Sequence, residues 1–504
     1  MANLYARLAA CFPADDAKFA VLPEGAVVTY GELDDRTARF SNQLRALGVQ
    51  IGDRVAVQTE KSLDMVVLYL ATVRAGAVFL PLNTAYTASE LGYFLNDAEP
   101  ALFVCDPARL EELRTVAAAA GVRAIETLDD AGNGSFGRKA GAQPDRFATV
   151  ARDDGDLAAI LYTSGTTGRS KGAMISHDNL ASNAFTLVDA WRFTRDDVLL
   201  HALPIFHTHG LFVAINTVIA AGASMRFLPR FDAASVIAQL PGATVMMGVP
   251  TFYTRLLDSP LLDRDLTSHM RLFISGSAPL SADVHRAFLE RTGHAILERY
   301  GMTETNMITS NPYDGARRAG TVGHALPGVS VRIVDLETGI ALSDGDIGMI
   351  EVAGPNVFSG YWQQPERRAT DFRNGYFITG DLGVVDDQGY VAIVGRDKDL
   401  IITGGFNVYP AEIEALLDAL PEVRESAVIG APHPDLGEGV VAVVVLESPG
   451  TADAASLLGA IQDKLARFKQ PRRLVLVDAL PRNAMAKIQK AQLRAEYRDI
   501  FANA

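Results

Sequence analysis

The chain has 504 residues, of which 48% are hydrophobic and 21% are charged. These proportions are typical of a folded globular protein and exclude a disordered or collagen-like chain, and the length predicts roughly three folding units. Sixty acidic residues against 46 lysines and arginines give a net charge of −14, which opposes binding to nucleic acid and to anionic lipid. We therefore expect no nucleic-acid partner, and an anionic substrate must be held by local cations, backbone amides or a metal.

Cysteine content and the first residues predict a cytoplasmic protein. The two cysteines, Cys11 and Cys105, are too few for a disulfide scaffold and are not spaced as zinc ligands. The N-terminal segment lacks the pattern of a signal peptide. The most apolar stretch, residues 65–82, is interrupted by Arg74 and Gly76, so it does not provide the roughly 20 apolar residues of a membrane span. We expect no membrane association.

Apolar spacing along the first 240 residues alternates between helical and strand-like patterns. Helix and strand patterns follow one another at residues 66–73 and 77–81, 101–105 and 110–120, and 224–228 and 233–240. This alternation predicts βα units stacked around mostly parallel sheets. Residues 129–144 are Gly-rich and lack an apolar period, which predicts a surface loop.

After residue 397 the pattern changes to a compact succession of short elements. We predict strands at 400–402, 426–429, 440–446 and 474–477 and helices at 411–420 and 454–468. These elements predict a small α+β domain with its own core. The predicted fold is therefore α/β, with a large multi-subdomain N-terminal domain of parallel and mixed sheets at 1–397 and a small mobile α+β domain at 398–504.

Residues 163–172 combine five hydroxyl side chains, three glycines and Lys171 directly after an apolar strand pattern. Glycines allow close approach of a backbone to phosphate oxygens, and hydroxyls, exposed N–H groups and a lysine bind those oxygens. The segment predicts a polyphosphate loop, although its register differs from that of the P-loop NTPases. An ordinary polar surface turn is the alternative.

Two further segments place polar groups after apolar strands. In residues 298–305, Glu304 could hold Mg²⁺, Thr303 a phosphate and Tyr300 a base, because α/β sheets place ligands at the carboxyl ends of strands. In residues 376–381, Asp381 could accept hydrogen bonds from both ribose hydroxyls. Each segment alone is also explained by core packing or turn chemistry.

Taken in order, these motifs resemble the AMP-forming acyl- and aryl-CoA synthetase superfamily of adenylate-forming enzymes. The resemblance covers nearly the whole chain and is carried by residues 162–172, 300–304, 379–381, 395–396, Lys398 and Lys487. It implies a ligase that uses ATP and Mg²⁺ to convert an acid to an acyl-adenylate and then transfers the acyl group to coenzyme A.

The resemblance also implies a role for each matching residue. The β- and γ-phosphates of ATP would be held by Thr163, Ser164, Gly165, Thr166, Thr167, Gly168 and Lys171. Thr303 would contact the α-phosphate, and Glu304 with Thr167 would bind Mg²⁺. The ribose would be held by Asp381 and Arg396, and adenine by Ser277, Ala278 and Tyr300.

Lys487 would be the catalytic lysine, because a cation that bridges an attacking carboxylate and a phosphate stabilises charge where it gathers. Lys398 would be the hinge about which the small domain turns to a thioester-forming pose, with residues 404–407 then facing the substrate. Ala486 stands where the family usually has glycine, so we expect Ala486→Gly to raise the adenylation rate. An acetyltransferase that modifies Lys487 would switch the enzyme off by removing its charge.

Residues 201–212, 247–255, 274–280 and 302–307 resemble the malonyl-CoA synthetases, which also accept methylmalonate. This closer resemblance implies malonate as the acid, Arg286 as the cation for its second carboxylate, and an acyl pocket lined by His207 and Thr208. A solvated helix face is the alternative for Arg286. His207 and His209 lack a third ligand at metal spacing, which disfavours a zinc site.

Three other functions are also compatible with the sequence. A CoA ligase for a monocarboxylic fatty or aromatic acid would lack the pocket cation, and an amino-acid-activating domain would carry a Phe-Asp-x-Ser segment where residues 207–210 stand. A non-catalytic nucleotide-binding regulator would keep every binding motif. Five cations in residues 464–473 suggest a landing patch for coenzyme A, or merely a solvated face.

Overall fold

The computed structural model describes residues 2–163, 170–483 and 487–502, and the strands of these residues form four sheets. The first sheet has six strands, which in spatial order are Ala124–Thr127, Leu102–Cys105, Arg54–Gln58, Val78–Pro81, Leu157–Thr163 and Lys171–Ser176. The first five strands are parallel and the sixth is antiparallel. The strands Val78–Pro81 and Leu102–Cys105 are buried along their whole length, as expected where helices cover both faces of a parallel sheet.

The second sheet has nine strands and holds most of the candidate site. In spatial order they are His324–Ala325, Asn306–Ser310, Leu297–Met302, Leu272–Ser275, Val245–Gly248, Val198–His201, Ser224–Phe227, Lys18–Val21 and Val27–Thr29. Its six central strands are parallel and its edges antiparallel. The carboxyl ends of these central strands therefore meet at one edge, where polar side chains of distant segments come together.

Two smaller sheets follow. The third contains Ser330–Val334, Gly348–Ala353, Tyr376–Val385, Phe372–Arg373 and Val391–Arg396, all antiparallel. The fourth contains Phe406–Val408, Ile401–Thr403, Gly437–Leu446 and Val423–His433 in spatial order. A fifth strand, Arg473–Leu476, pairs in parallel with Gly437–Leu446. The fourth sheet has its own core, built around Val428, Val440 and Val444.

Nine of the sixteen α-helices of the described residues begin at a residue whose side chain caps the helix. The sixteen helices are Leu4–Ala9, Tyr30–Ala46, Leu63–Arg74, Ala88–Ala98, Leu110–Ala119, Ser135–Gly141, His177–Ala190, Asn216–Ala221, Ala233–Gln239, Pro250–Leu257, Arg264–Thr267, Ala282–Thr292, Arg368–Asp371, Pro410–Asp418, Ala454–Gln462 and Lys490–Glu496. Thr29 and Glu32 form a capping box at the start of Tyr30–Ala46, which satisfies two backbone donors at once. Asp232 caps Ala233–Gln239. Among the described residues, no helix combines the length and the apolar character needed to span a bilayer.

The predicted fold class is confirmed. The chain is α/β, with a large N-terminal region of parallel and mixed sheets and a smaller C-terminal α+β region. The 3₁₀ turn Asp397–Asp399 connects the strand Val391–Arg396 of the third sheet to Ile401–Thr403 of the fourth. The division into domains at 1–397 and 398–504 stays a prediction.

Two local predictions are wrong. The predicted loop at 129–144 contains the helix Ser135–Gly141, whose Phe136 is buried with its ring edge against Phe40, 5.2 Å between centroids. The seven-residue helix is too short to show an apolar period in sequence. The helix predicted at 454–468 ends at Gln462. Of the cationic residues that follow it, Lys464, Arg467 and Lys469 lie in turns and Arg473 begins the strand Arg473–Leu476.

Candidate active site

Asp381 lies at the centre of a hydrogen-bonded cluster that joins the second and third sheets. The Tyr300 phenol donates a 2.6 Å hydrogen bond to its Oδ2, and Arg396, its cross-strand neighbour, lies 2.8 Å from its Oδ1 through Nε. Burial and then the charge of Asp381 raise the pKa of Tyr300, and the charge of Asp381 raises the pKa of Arg396. Tyr300 therefore remains a donor and Arg396 a cation, so the cluster presents a buried carboxylate in a fixed orientation.

Glu304 is a second buried carboxylate, in the turn that follows the strand Leu297–Met302. Burial raises the pKa of Glu304, and hydrogen bonds from the side chains of Tyr361 and Thr163 act in the opposite direction. The Tyr361 hydroxyl donates to Oε1 at 2.9 Å, so its oxygen is positioned by a neighbour from a distant segment. Thr303 is half-buried in the same turn. Proteins often bind Mg²⁺ through only one or two carboxylates, and the phosphates of the substrate supply further ligands.

The ends of the predicted phosphate loop lie together. Thr163 and Lys171 are paired across antiparallel strands, and the Lys171 ammonium lies 5.0 Å from the centroid of the Tyr361 ring that also contacts Glu304. Burial, followed by the charge of Arg367, lowers the pKa of Lys171. Ser164, Gly165, Thr166, Thr167 and Gly168 lie outside the described residues.

Lys487 is anchored through its backbone and neighbours. Its N–H donates to the Asn483 side-chain oxygen at 3.0 Å, and the Asn483 N–H donates to its carbonyl at 2.9 Å. On either side of it, Arg482 pairs with Glu425, and Lys490 pairs with Glu414 at 2.6 Å. Ala486, next to Lys487, lies outside the described residues.

The Lys487 ammonium is close enough to the two carboxylates to sense their charges. Burial of the ammonium lowers the pKa of Lys487, the charge of Arg396 adds to this effect, and the charges of Asp381 and Glu304 oppose it. The residue as a whole is exposed to solvent. The charges of the side chains predicted to hold the ribose and Mg²⁺ thus act on its ammonium.

A cavity of about 320 Å³ lies at the carboxyl ends of the second sheet's parallel strands, where Ala202, Val249 and Ser277 follow three of these strands. The exposed residues Glu60, Arg230 and Arg255 line one part of it. His207, His209 and Ser277 line another part.

Ser277 has a left-handed backbone with φ of 73°, a strained conformation of the kind that clusters at functional sites. Its hydroxyl lies 3.3 Å from His209 Nδ1, and Ala278 beside it is exposed.

Five buried polar atoms, two of them on the cavity-lining histidines, have no hydrogen-bond partner among the described residues. These atoms are His207 Nδ1, Thr208 Oγ1, His209 Nε2, and Arg299 Nε and Nη2. Burial lowers the pKa of His207 to about 3, with further lowering by the charges of Lys487 and Arg299, so this imidazole is neutral. Unpaired buried polar atoms are costly in an empty protein, so this cluster is suited to a polar ligand.

Arg299 is a buried cation that the sequence analysis did not single out. It is 3% exposed in the strand Leu297–Met302, and no carboxylate in the described part of the chain forms an ion pair with it. Burial lowers the pKa of Arg299 to about 9, which still leaves it charged at neutral pH. A methyl group placed on Gly276 would come within 2.4 Å of Arg299 Cζ, so the guanidinium lies directly against the backbone that leads to Ser277.

Arg286 does not lie where the acyl-pocket hypothesis needs it. It is exposed on the helix Ala282–Thr292, with 61% of its side chain accessible, and pairs with Asp283 one turn away. It does not line the cavity. The outward face of this helix carries Arg286, whereas His285 and Phe288 face inward. Arg299 does not line the cavity either, but it lies against the backbone of Gly276, next to the cavity-lining Ser277.

The predicted mobile elements lie away from the cavity in this structure. Lys398 is half-buried in the turn Asp397–Asp399, and burial followed by the charge of Arg396 lowers its pKa to about 8. Residues 404–407 are exposed, with the Phe406 ring stacked on Phe468 at 4.7 Å. Lys469 of the cationic segment pairs with Glu412.

Within the part of the chain that the structure describes, no group of three or more His, Cys, Asp or Glu side chains could hold a metal ion. The expectation against a zinc site at His207 and His209 stays a prediction. The prediction that Glu304 binds Mg²⁺ would need further oxygen ligands from a bound nucleotide.

Comparisons with known proteins agree on one family. The family model described as AMP-binding enzyme matches residues 6–362, and the model for the AMP-binding enzyme C-terminal domain matches residues 412–487. A malonate–CoA ligase of Arabidopsis thaliana is 34% identical, covering 95% of this chain and 86% of that protein. A feruloyl-CoA synthase of an Amycolatopsis species is 35% identical, covering 95% and 96%.

Solved structures of MatB from Rhodopseudomonas palustris are 60% identical and cover 99% of both chains. The ATP-bound structure superposes with a TM-score of 0.97 and the apo structure with 0.86. The arrangement seen in this chain is thus more similar to the nucleotide-bound form.

Proposed function

Because the chain belongs to the family of AMP-binding enzymes, we propose that it is an AMP-forming ligase that makes malonyl-CoA. In the first half-reaction a malonate carboxylate attacks the α-phosphate of ATP, which gives malonyl-adenylate and releases pyrophosphate. In the second, the thiol of coenzyme A attacks the acyl carbonyl and AMP leaves. Methylmalonate, which differs by one methyl group, is a second substrate in this proposal.

The observation that supports malonate as the substrate is the buried Arg299 cation, which has no ion-pair partner among the described residues. A buried charge without a partner is strongly unfavourable unless a ligand supplies the opposite charge. Malonate has a second carboxylate that does not react, and a guanidinium can bind a carboxylate through two parallel hydrogen bonds. His207 and Thr208 offer further buried polar atoms without partners among the described residues, and the charge of Arg299 acts on His207. The name of the Arabidopsis relative supports the same substrate.

The Asp381 cluster supports a site for the nucleoside. We propose that Asp381 and Arg396 hold the ribose and that Tyr300, with Ser277 and Ala278, frames the adenine. Thr163, Lys171 and the loop between them would hold the β- and γ-phosphates, with Thr303 on the α-phosphate. The pairing of Thr163 with Lys171 supports this proposal, because it brings both ends of the loop beside Glu304.

Lys487 is proposed as the catalytic cation of the first half-reaction. Both reactants of that step are anions, so a cation between them stabilises the charge that gathers in the transition state. The proximity of its ammonium to Asp381 and Glu304 supports this role. Glu304, with Thr167, would hold Mg²⁺, which supplies further charge neutralisation on the phosphates when bound.

We propose that the small domain 398–504 turns about Lys398 between the two half-reactions. The position of Lys398 in a short turn between two sheets supports a hinge. The exposure of residues 404–407 supports a surface that is free to approach the substrate after rotation.

Modification of Lys487 by an acetyltransferase, which would remove its charge, is part of the same proposal. So is a cytoplasmic location, which the free cysteines Cys11 and Cys105 support.

The test is product formation with a panel of acids. Purified protein is incubated with ATP, Mg²⁺ and coenzyme A, together with malonate, methylmalonate, acetate, octanoate or coumarate, and AMP and acyl-CoA are quantified by chromatography. The proposal expects equal amounts of AMP and malonyl-CoA, and no product from the monocarboxylates. Equal turnover of a monocarboxylate would instead favour the alternative of a fatty or aromatic acyl-CoA ligase, which the feruloyl-CoA synthase relative keeps open.

A further inference from the structure

Lys61 is a half-buried lysine whose ammonium group lies in the wall of the cavity. It precedes the helix Leu63–Arg74. Its Nζ lies 2.8 Å from His201 Nδ1, 3.0 Å from the His201 carbonyl oxygen and 4.4 Å from the centroid of the Phe227 ring. No carboxylate among residues 2–163, 170–483 and 487–502 forms an ion pair with it. The group therefore has a fixed position but no charge partner.

The tautomer of His201 follows from its own contacts. His201 Nε2 lies 2.8 Å from the Gly210 carbonyl oxygen, and because a carbonyl oxygen only accepts, Nε2 carries the hydrogen. Burial, with the charge of Lys61 as the next cause, lowers the pKa of His201 well below its usual value, so the ring is neutral. Nδ1 must then accept a hydrogen bond from Lys61.

This arrangement suits a neutral amine at Lys61. The two acceptors of His201 use two hydrogens of Nζ, which is the full number that a neutral amine carries. An ammonium would carry a third hydrogen, and among the described side chains only the face of Phe227 lies next to it. Burial lowers the pKa of Lys61 well below its usual value, as expected for an amine in apolar surroundings without a carboxylate.

The charged and titratable groups around the same cavity do not reverse this preference. Arg230 and Arg255 add positive charge, His207 and His209 are neutral through burial, and Glu60 faces solvent at the exposed part. None of the described cavity-lining residues other than Glu60 is acidic. The local field therefore favours loss of the Lys61 proton.

The cavity also offers a route for a thiol to the proposed acyl site. It reaches His207 of that site and Ser277 beside the proposed adenine site, whereas Asp381, Arg396 and Glu304 do not line it. Its exposed part carries Arg230 and Arg255, and guanidinium groups bind phosphate well. A long, uncharged arm that ends in a thiol and begins at a phosphate fits such a passage.

We propose that Lys61, held by His201, is the base that takes the thiol proton of coenzyme A in the second half-reaction; this inference rests on the proposed ligase function. The S–H proton moves to the lone pair of Nζ. The thiolate sulfur then forms a bond to the acyl carbon of malonyl-adenylate. The bond from that carbon to the phosphate oxygen breaks, and AMP leaves with the electron pair. The Lys61 ammonium then returns its proton to water through the exposed part of the cavity.

The experiment compares Lys61→Met and Lys61→Arg with wild type and with Lys18→Met, a control at an exposed lysine that begins the strand Lys18–Val21. Malonate-dependent ATP–pyrophosphate exchange measures the first half-reaction. Single-turnover formation of malonyl-CoA from preformed malonyl-adenylate measures the second. We expect both Lys61 variants to slow thioester formation by about 100-fold or more, with pyrophosphate exchange still measurable, and Lys18→Met to match wild type.

Dependence on pH provides the second readout. In the wild type, thioester formation should reach its plateau once Lys61 has lost its proton. In Lys61→Met it should instead keep rising with pH until the thiol itself ionises, at about pH 8.5.

Three outcomes would overturn the proposal. Recovery of the rate by Lys61→Arg would show that charge alone matters. A raised KM for coenzyme A with an unchanged rate at saturation would show a binding role, and equal loss of both half-reactions would show a structural one. Failure of the wild type to form malonyl-CoA from malonate would count against the proposed function itself and is recognised separately, before any variant is made.

Discussion

The Tyr300 phenol donates a 2.6 Å hydrogen bond to Asp381, 81 positions later in the chain. Because a hydrogen bond to a charged group contributes about 1.5–3 kcal/mol, we expect Tyr300→Phe to raise the KM for ATP by about tenfold or more, with a smaller change in kcat. Steady-state rates at saturating malonate and coenzyme A measure both constants. Tyr376→Phe, which removes an exposed hydroxyl bonded to Ser330, is the matched control. An equal effect of the two changes would refute the role of Tyr300.

We predict that the rate of adenylation falls at alkaline pH because Lys487 loses its proton. Burial of its ammonium lowers the pKa of Lys487, so as pH rises the cation is lost earlier than from an ordinary lysine, whereas at lower pH it is fully charged. Pyrophosphate exchange should therefore fall at a pH below about 10.4. Lys487→Arg should move this limit upward even if its maximal rate is lower, and Lys487→Ala should lose about 100-fold or more. An unmoved alkaline limit in the arginine variant would contradict this assignment.

We predict that ionisation of Asp418 lowers the stability of the protein as pH rises. Its Oδ1 is buried without a hydrogen-bond partner among the described residues, and burial, with Glu414 and Glu425 nearby, raises its pKa to about 7. Between the unfolded value of about 4 and this raised value, the unfolded state loses its proton while the folded state keeps it, so stability falls as pH rises. Asp418→Asn removes this effect and should stabilise the protein at pH 8 by about 1–2 kcal/mol, after allowance for partial exposure.

Urea unfolding of the full chain at about pH 5 and about pH 8 measures the Asp418 effect. The gain should be much smaller at the lower pH. Asp463→Asn, at an exposed position after the helix Ala454–Gln462, should change neither value. An equal gain from Asp418→Asn at both pH values would show that ionisation is not its cause.

Much of the fold could be predicted because its signals are local. The alternation of helical and strand-like spacing, and the glycine- and hydroxyl-rich motif after a buried strand, each lie within a few residues of one another. The helix Ser135–Gly141 could not be predicted in this way, because it is defined by the packing of Phe136 on Phe40, almost a hundred residues earlier.

The site was less predictable because its decisive contacts join distant residues. No pattern of neighbouring residues in the sequence predicts the contact of Lys61 with His201 or of Tyr361 with Glu304. These contacts form only when distant segments are brought together in the fold. The two arginines illustrate the same point. Arg286 lies in an amphipathic helix with its side chain outward, and Arg299, 13 residues later, lies inward in a buried strand. A charged residue inside an otherwise buried strand pattern was the signal that could have identified Arg299.

The central claim is that a buried cation at Arg299 selects a dicarboxylic acid. The most direct test compares Arg299→Met with the matched change Arg286→Met, using malonate and butyrate as acids in CoA-dependent AMP formation. We expect Arg299→Met to raise the KM for malonate by about 100-fold or more and to gain turnover of butyrate, because loss of one partner of a buried charge pair costs about 3–5 kcal/mol. Arg286→Met should keep the wild-type preference. Retention of malonate activity by Arg299→Met, with its loss in Arg286→Met, would contradict the account.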